Sequence, residues 1–353
     1  MKTTMKWLRR LLFVVAAVIV LVLALLVFTA LRTERPVGFE VAQTSAGGKP
    51  FAIGLWYPTD ATPRPTTMLG LVLMSVAPDA PVAGQGLPLV VISHGNGGGL
   101  ASHADLAMSL ANAGYVVAAP MHPGDNAVDQ SAAGSATLYS ERNAQVRASV
   151  DYLLNKWRSG HLIDPARVGA YGFSAGAFAV LTAAGARPDF GKIPAHCAAH
   201  PEFVCEVLKH DANPLLDAGG PLQAGEFATD TRIKAAVLAA PGLGFTLDRA
   251  GLAMVRIPIQ LWSGDADRHV PYSTNAKLIR EGLGSQVQFH AVPGAGHAAF
   301  LAPCALLGPP ELCRDEAPFD RKQFHADMNT RVIAFFDEHI GRQPRADGAP
   351  MAQ

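Results

Sequence analysis

The sequence predicts an α/β fold: a mostly parallel central sheet flanked by helices, with an N-terminal transmembrane helix ahead of it and a lid-like insertion within it. Three observations carry that prediction. Short apolar runs, among them LPLVVISHG, YVVAAPMH, ARVGAYGFS, IKAAVLAAPG, IPIQLWSGD and VQFHAVPG, recur with helical stretches between most of them. Buried strands alternating with helices build a parallel sheet covered on both faces. The run LLFVVAAVIVLVLALLVFTAL, from Leu11 to Leu31, has Thr29 as its sole polar residue and is long enough to span a bilayer. Residues 188–230 interrupt the alternation with a cysteine pair, prolines, glycines and no clear period. An insertion over the C-terminal edge of such a sheet is where lids and substrate walls sit.

In chain order, residues 1–35 read as a cytoplasmic stub and membrane anchor. Lys2, Lys6, Arg9 and Arg10 precede the apolar run, against Arg32 and Arg35 with Glu34 after it, so the charge bias keeps the N-terminus in the cytoplasm and exports the rest. A cleaved signal peptide is the competing reading. The run is long for that, and Phe28-Thr29-Ala30 puts a bulky residue where a cleavage site wants a small one.

Residues 36–341 form one domain. VGFEVAQTS and KPFAIGLWYP are two extended segments joined at Gly47-Gly48, and the Pro/Ala/Gly-rich stretch 58–86 reads as a long loop. The alternation follows. Val146, Val150, Leu153, Leu154 and Trp157 fall on one stripe of a helix that should lie flat on the sheet. Phe324, Met328, Val332, Phe335 and Phe336 repeat the pattern in a last helix stopped by Gly341, and residues 342–353 are expected to be a disordered tail.

Composition narrows the function classes. With 29 basic and 29 acidic side chains and 16% charged residues, there is no net charge to draw nucleic acid or an anionic surface. The four cysteines, Cys197, Cys205, Cys304 and Cys313, are two close pairs far apart in sequence, with three possible pairings. An exported domain favours two local disulfides, Cys197 to Cys205 and Cys304 to Cys313. The alternative is a metal site, because His196, Cys197, His200, Cys205 and His210 crowd one segment; it lacks the tight C-x-x-C pair of a zinc site.

The chemistry-bearing motif is Gly172-Phe173-Ser174-Ala175-Gly176, which follows the strand RVGAYGF and precedes the small-residue helix AGAFAVLTAAGA. Strand, turn and helix in that order are what a nucleophile elbow requires, and its glycines let the backbone turn sharply while the helix approaches the strand. A serine hydroxyl needs a base within hydrogen-bond reach, and the base needs a third group to orient it. His297 stands on the loop after the strand VQFHAV and is the candidate base. Asp265 and Asp267 end the preceding strand; Asp267 is preferred, with Asp265 expected to face solvent or cap the turn. VISHGNGGGL ends the first core strand, and the N–H of Asn96, with that of Ala175, would form an oxyanion hole. His94 is expected to brace this loop. Phe173, Trp262, Phe300 and Leu301 flank these positions and suggest an apolar mouth that binds substrate.

LWYP, VISHGNGGG, RVGAYGFSAG, DTRIKAAVLAAPG, GDADRHVP, GAGHAAFLAPC and FDRKQFHADMN together resemble the predicted dienelactone hydrolases of bacteria, relatives of platelet-activating factor acetylhydrolases in the α/β-hydrolase superfamily. The resemblance covers about residues 36–341. It implies a serine esterase with nucleophile Ser174, acid Asp267, base His297 and oxyanion donors Asn96 and Ala175, and it makes the paired cysteines a feature of this branch. Dienelactone hydrolases proper use a cysteine nucleophile, and position 174 is serine, so the family label does not name the substrate. The expectation is hydrolysis of a hydrophobic or short-acyl ester, such as a small ester or a platelet-activating-factor-like phospholipid, without metal or organic cofactor. The catalytic domain would sit in the periplasm, held to the bacterial inner membrane or released by signal cleavage. Acyl transfer or peptide hydrolysis by the same residues, and a catalytically silent binding protein on this fold, are the alternatives.

Overall fold

A computed structural model of the chain describes residues 7, 10–18, 20–21, 30–68, 72–217, 226–304 and 310–341. The expected tail, residues 342–353, and much of the expected membrane span over 11–31 lie outside the described residues. Among the described residues, no helix is long and apolar enough to cross a membrane.

The centre is a ten-stranded sheet in the order β10-β9-β8-β7-β5-β6-β2-β1-β4-β3. Its strands are β1 (Val37–Ala46), β2 (Lys49–Pro58), β3 (Arg64–Met68), β4 (Val72–Pro78), β5 (Leu87–Ser93), β6 (Val116–Pro120), β7 (Ile163–Phe173), β8 (Ile233–Ala239), β9 (Ile259–Gly264) and β10 (Val287–Val292). From β5 onward every neighbouring pair is parallel, whereas β2 joins β6 and β1 in antiparallel pairs. The expected α/β fold with a mostly parallel sheet flanked by helices is therefore the one observed.

One expectation fails at the sheet's edge. The stretch 58–86, read as a long loop, contains the antiparallel hairpin β3–β4, and β4 also pairs in parallel with β1. Met74, Val76 and Ala77 are buried there. Of the prolines in this stretch Pro65 stands within β3, the short outermost strand, and an edge is where a sheet tolerates a missing N–H.

Helices cover both faces: α1 (Ala104–Asn112), α2 (Leu138–Asn155), α3 (Ala175–Ala183), α4 (Ile193–Ala199), α5 (Phe203–His210), α6 (Ala276–Leu283) and α7 (Arg321–Ile340). Strand parity decides which face a residue serves. In β5, Leu87, Leu89 and Val91 pack in the apolar layer under α2 and α3, whereas Val90 and Ile92 pack in the layer under α1 and α7. The stripes read on α2 and α7 are the buried ones, with Val146, Val150, Leu153 and Val332 inaccessible. Asp320 caps α7 by accepting from the Gln323 N–H at 3.1 Å.

The insertion at 188–230, for which no period was legible, holds α4, α5 and short 3-10 turns; residues 218–225 of it are outside the described set. A disulfide joins Cys197 to Cys205 and so α4 to α5, and a second joins Cys304 to Cys313. Both are the local pairings, and they use up the cysteines of the alternative metal site.

The order of the strands determines where a site can form. The chain leaves β5, lays β6 on one side of it and then β7 on the other. The loops at the C-terminal ends of these strands diverge there, and a crevice opens at such a switch point.

Candidate active site

Ser174 follows β7 directly and serves as the N-cap of α3, with φ +55° and ψ −121°. A side chain rarely holds positive φ, and strain of this kind persists only where surroundings enforce it. The Ser174 N–H donates to the Ala239 carbonyl on β8 at 2.9 Å, and the Ser174 carbonyl accepts from the Phe178 N–H in α3 at 3.2 Å. The flanking glycines make the turn possible by close approach. A Cβ on Gly172 would strike the Gly176 carbonyl, and one on Gly176 would strike the Ser93 and His94 carbonyls.

His297 opens a 3-10 turn, His297–Phe300, after β10. Its Nε2 lies 3.0 Å from Ser174 Oγ, and its Nδ1 lies 2.7 Å from Asp267 Oδ2. The Asp267 side chain is wholly buried. Its other oxygen, Oδ1, accepts from the N–H groups of His269 at 3.0 Å and Val270 at 2.8 Å, which fixes the carboxylate plane. Asp265 is exposed and accepts from the Gly294 N–H at 2.6 Å, tying the β9 loop to the β10 loop. The structure thus brings Ser174, His297 and Asp267 into one hydrogen-bonded line and leaves Asp265 outside it.

The loop after β5 lies against this line. Gly95 packs on Phe173 and Ser174, and Gly176 sits under the Ser93 and His94 carbonyls. Among the described residues, neither the Asn96 N–H nor the Ala175 N–H meets an acceptor. His94 is buried and braces the loop: its Nδ1 bonds the Gly95 carbonyl at 2.7 Å, and its Nε2 accepts from the His122 N–H at 3.2 Å. Burial, reinforced by the Arg142 charge, lowers its pKa to about 3, so the imidazole is neutral with its proton on Nδ1. His122, also buried, bridges Ser93 Oγ at 2.8 Å and Gln145 Oε1 at 2.6 Å.

The expected apolar mouth is not built from the residues named for it. Phe173, Trp262 and Phe300 are buried in the core layer under α1 and α7. Phe173 backs the His297 ring at 4.7 Å between centroids, and Trp262 stacks on His290 at 4.1 Å. Strand parity sends Phe173 to the opposite side from the serine that follows it. Leu301 is partly buried against the same layer. A cleft of about 420 Å³ adjoins the loop after β5; Asn96, Gly97 and Gln130 line it together with Phe203, Glu206 and Val207 of α5. Phe203 also packs on His269 at 5.3 Å, and His269 on His297 at 5.7 Å. The insertion therefore reaches the His297 side of the site as well as the Asn96 side.

Reading the sequence also missed a second buried pair. Asp105 at the start of α1 and His325 in α7 are separated by 220 positions, and Asp105 Oδ2 meets His325 Nδ1 at 2.7 Å. Asn329 donates to the same oxygen at 2.9 Å, and His325 Nε2 donates to the Ala299 carbonyl at 2.9 Å. The pair thereby grips the turn that begins at His297. The available signal was a histidine and a carboxylate on helix faces otherwise apolar, in ASHADLAM and FHADMNTR.

A strained serine hydrogen-bonded to an imidazole, and that imidazole to a buried carboxylate, can generate an oxygen nucleophile and return a proton to a leaving group. Comparison with known proteins bears on which chemistry that serves. Among curated proteins nothing matches the chain. Of solved structures, a ferulic acid esterase from Streptomyces cinnamoneus is similar, with 20% sequence identity and a TM-score of 0.58, over 92% of this chain and 96% of that one; at this identity the likeness is one of fold. Residues 74–239 match the dienelactone hydrolase family, a span from β4 through β8 that includes the β5 loop and the Ser174 turn. That match covers just under half of the chain and marks it as similar to the dienelactone hydrolase family; the chain is a hydrolase acting on ester bonds.

Proposed function

We propose that the chain is a serine carboxylic-ester hydrolase working through Ser174, His297 and Asp267. Ser174 Oγ attacks the ester carbonyl carbon as His297 Nε2 takes its proton. The N–H groups of Asn96 and Ala175 receive the oxyanion. Collapse expels the alcohol, which takes the proton from His297 and leaves an acyl-enzyme. Water then gives a proton to His297, attacks the acyl carbon and releases the acid, and the proton returns to Ser174. The observation that carries this reading is the continuous line from Ser174 Oγ through His297 to Asp267, at 3.0 and 2.7 Å.

The substrate proposed is an uncharged or short-acyl ester with one arm against Phe203 and Val207 in the cleft beside Asn96. Glu206 in the same wall disfavours an anionic group at that point. The apolar run Leu11–Leu31 is proposed as an inner-membrane anchor with the domain in the periplasm, where the two disulfides would form. The chain enters the domain near the starts of the parallel strands, where Arg35 shares a cleft with Leu87, Tyr115 and Arg167. That is the edge opposite Ser174, so an anchored enzyme would present its site away from the bilayer and draw esters from solution.

A p-nitrophenyl ester series of increasing chain length, set beside a feruloyl ester and a phospholipid with a short sn-2 acyl group, tests the reading. Wild type should hydrolyse short p-nitrophenyl esters with a distinct length optimum, and Ser174→Ala should not. Equal rates for the two proteins would overturn it.

A further inference from the structure

We propose that Arg142 and Asp125 are positioning residues that aim the Asn96 N–H at the oxyanion. The proposal rests on the esterase reading above. Arg142 stands near the start of α2, Asp125 follows β6, and each side chain is only 1% exposed. Neither touches the Ser174 line. Both instead converge on the loop after β5.

The contacts take hold of four consecutive residues. Arg142 Nη1 donates to the His94 carbonyl at 2.7 Å, and Nη2 donates to the Gly95 carbonyl at 3.1 Å and to the Asp125 carbonyl at 3.3 Å. Arg142 Nε donates to Asp125 Oδ2 at 2.6 Å. The second carboxylate oxygen, Oδ1, accepts from Asn96 Nδ2 at 2.6 Å and from the Gly97 N–H at 3.0 Å. One ion pair therefore holds the backbone on either side of the Asn96 N–H and also the Asn96 side chain.

The geometry of the peptide unit turns that grip into direction. The Gly95 carbonyl and the Asn96 N–H belong to one peptide plane, and in a trans peptide they point opposite ways. The carbonyl is bonded three times on its own side, by Arg142 Nη2, by His94 Nδ1–H at 2.7 Å and by the Gly98 N–H at 3.1 Å. The N–H must face away from that cluster, and among the described residues it meets no acceptor. Hydrogen bonds accepted by a carbonyl also polarise the N–H across the plane and make it a better donor. The planar guanidinium suits this work because it serves several acceptors in fixed directions, which a lysine ammonium on a flexible stem does not.

A buried ion pair is a poor stabiliser compared with apolar residues of similar volume, although breaking it by removing one partner is costly. That contrast allows a test in which stability and rate separate. Wild type, Ser174→Ala, Arg142→Lys, Asp125→Asn and the double exchange Arg142→Met with Asp125→Leu are compared. Their melting temperatures, kcat and KM on p-nitrophenyl butyrate, and inhibition by a trifluoromethyl ketone that forms a tetrahedral adduct, are measured. The double exchange removes both charges together and keeps a folded protein available if the single variants melt early.

In folded variants kcat should fall about 10²-fold with KM nearly unchanged, the size seen when one oxyanion donor is lost. Affinity for the ketone should fall in proportion. A folded variant with kcat within about threefold of wild type, or a fall in kcat with ketone affinity unchanged, would overturn the proposal. If Ser174→Ala matches wild type, the esterase reading has failed, and this proposal falls with it; that outcome is seen without any Arg142 variant and is distinct from the other two.

Discussion

Asp267→Asn perturbs the site at a single atom, and its consequence can be worked from the hydrogen bonds. Oδ1 of Asp267 accepts from two backbone N–H groups, of His269 and Val270. Asparagine can keep both only by leaving its carbonyl there, which turns its NH2 toward His297 Nδ1 at the 2.7 Å position now held by Oδ2. Two donors cannot share that contact, so the imidazole must move its proton to Nε2. It then donates to Ser174 Oγ where it should accept. The imidazolium formed during attack also loses the charge that stabilises it. In a serine triad this exchange lowers kcat by about 10⁴, or about 5.4 kcal/mol of transition-state stabilisation. The fold should be little affected, because shape and both backbone bonds survive. The assay is steady-state hydrolysis of p-nitrophenyl butyrate with a melting curve for each variant, and Asp265→Asn is the comparator. Asp265 is exposed and keeps its Gly294 contact as an amide, so its kcat should stay within about threefold of wild type. Loss of less than tenfold in Asp267→Asn, or equal loss in the two variants, refutes the reasoning.

Gly176→Ala places a Cβ against the Ser93 and His94 carbonyls, backbone that cannot yield, and should cost about 1–3 kcal/mol in stability together with most of the activity; urea melts and ester assays read both. The Asp105–His325 pair should give stability a pH window. Burial pulls the Asp105 carboxyl up and the His325 imidazole down, but the charge of each partner prevails, leaving Asp105 below its ordinary 3.8 and His325 above its ordinary 6.5. The Asp105 contribution is complete above 3.8 and is lost as pH falls through its depressed folded value, and the His325 contribution is complete below 6.5 and is lost as pH rises through its raised one. His325→Gln should therefore cost most between those values, about 3 kcal/mol, with the gap to wild type closing at alkaline pH in a series of thermal melts. Replacing Cys197 and Cys205 by alanine removes the bond between α4 and α5, whose sulfurs are buried, and should lower unfolding free energy by about 2–3 kcal/mol, readable by chemical denaturation.

The parallel half of the sheet was legible because strands such as β5 and β8 are buried on both faces and leave continuous apolar runs between helical stripes. Ser174, Asp267 and His297 could be named because each stands just past such a run, in one chain order. The hairpin β3–β4 was hidden by its own prolines and by the glycine at position 70, which read as loop chemistry. Phe173, Trp262 and Phe300 were misplaced because nearness in sequence to a catalytic residue says nothing about which face of the sheet a side chain joins. Arg142 escaped notice although it stands four residues before Val146, on the stripe that α2 buries. A charge on a buried stripe demands a partner, but Asp125 lies in a loop after β6, and no local pattern connects the two. Long-range pairs of this kind, Asp105 with His325 being the other, are settled by tertiary packing, and they surround the site from opposite sides.

The most direct test of the account is the fate of Ser174 in the presence of a fluorophosphonate. Wild-type protein is treated, digested and mapped by mass spectrometry, with Ser174→Ala treated in parallel. One adduct is expected, on the peptide containing Gly172 to Gly176, formed in step with loss of esterase activity and absent from the variant. Equal labelling of both proteins, or activity that disappears while Ser174 remains unmodified, would contradict it.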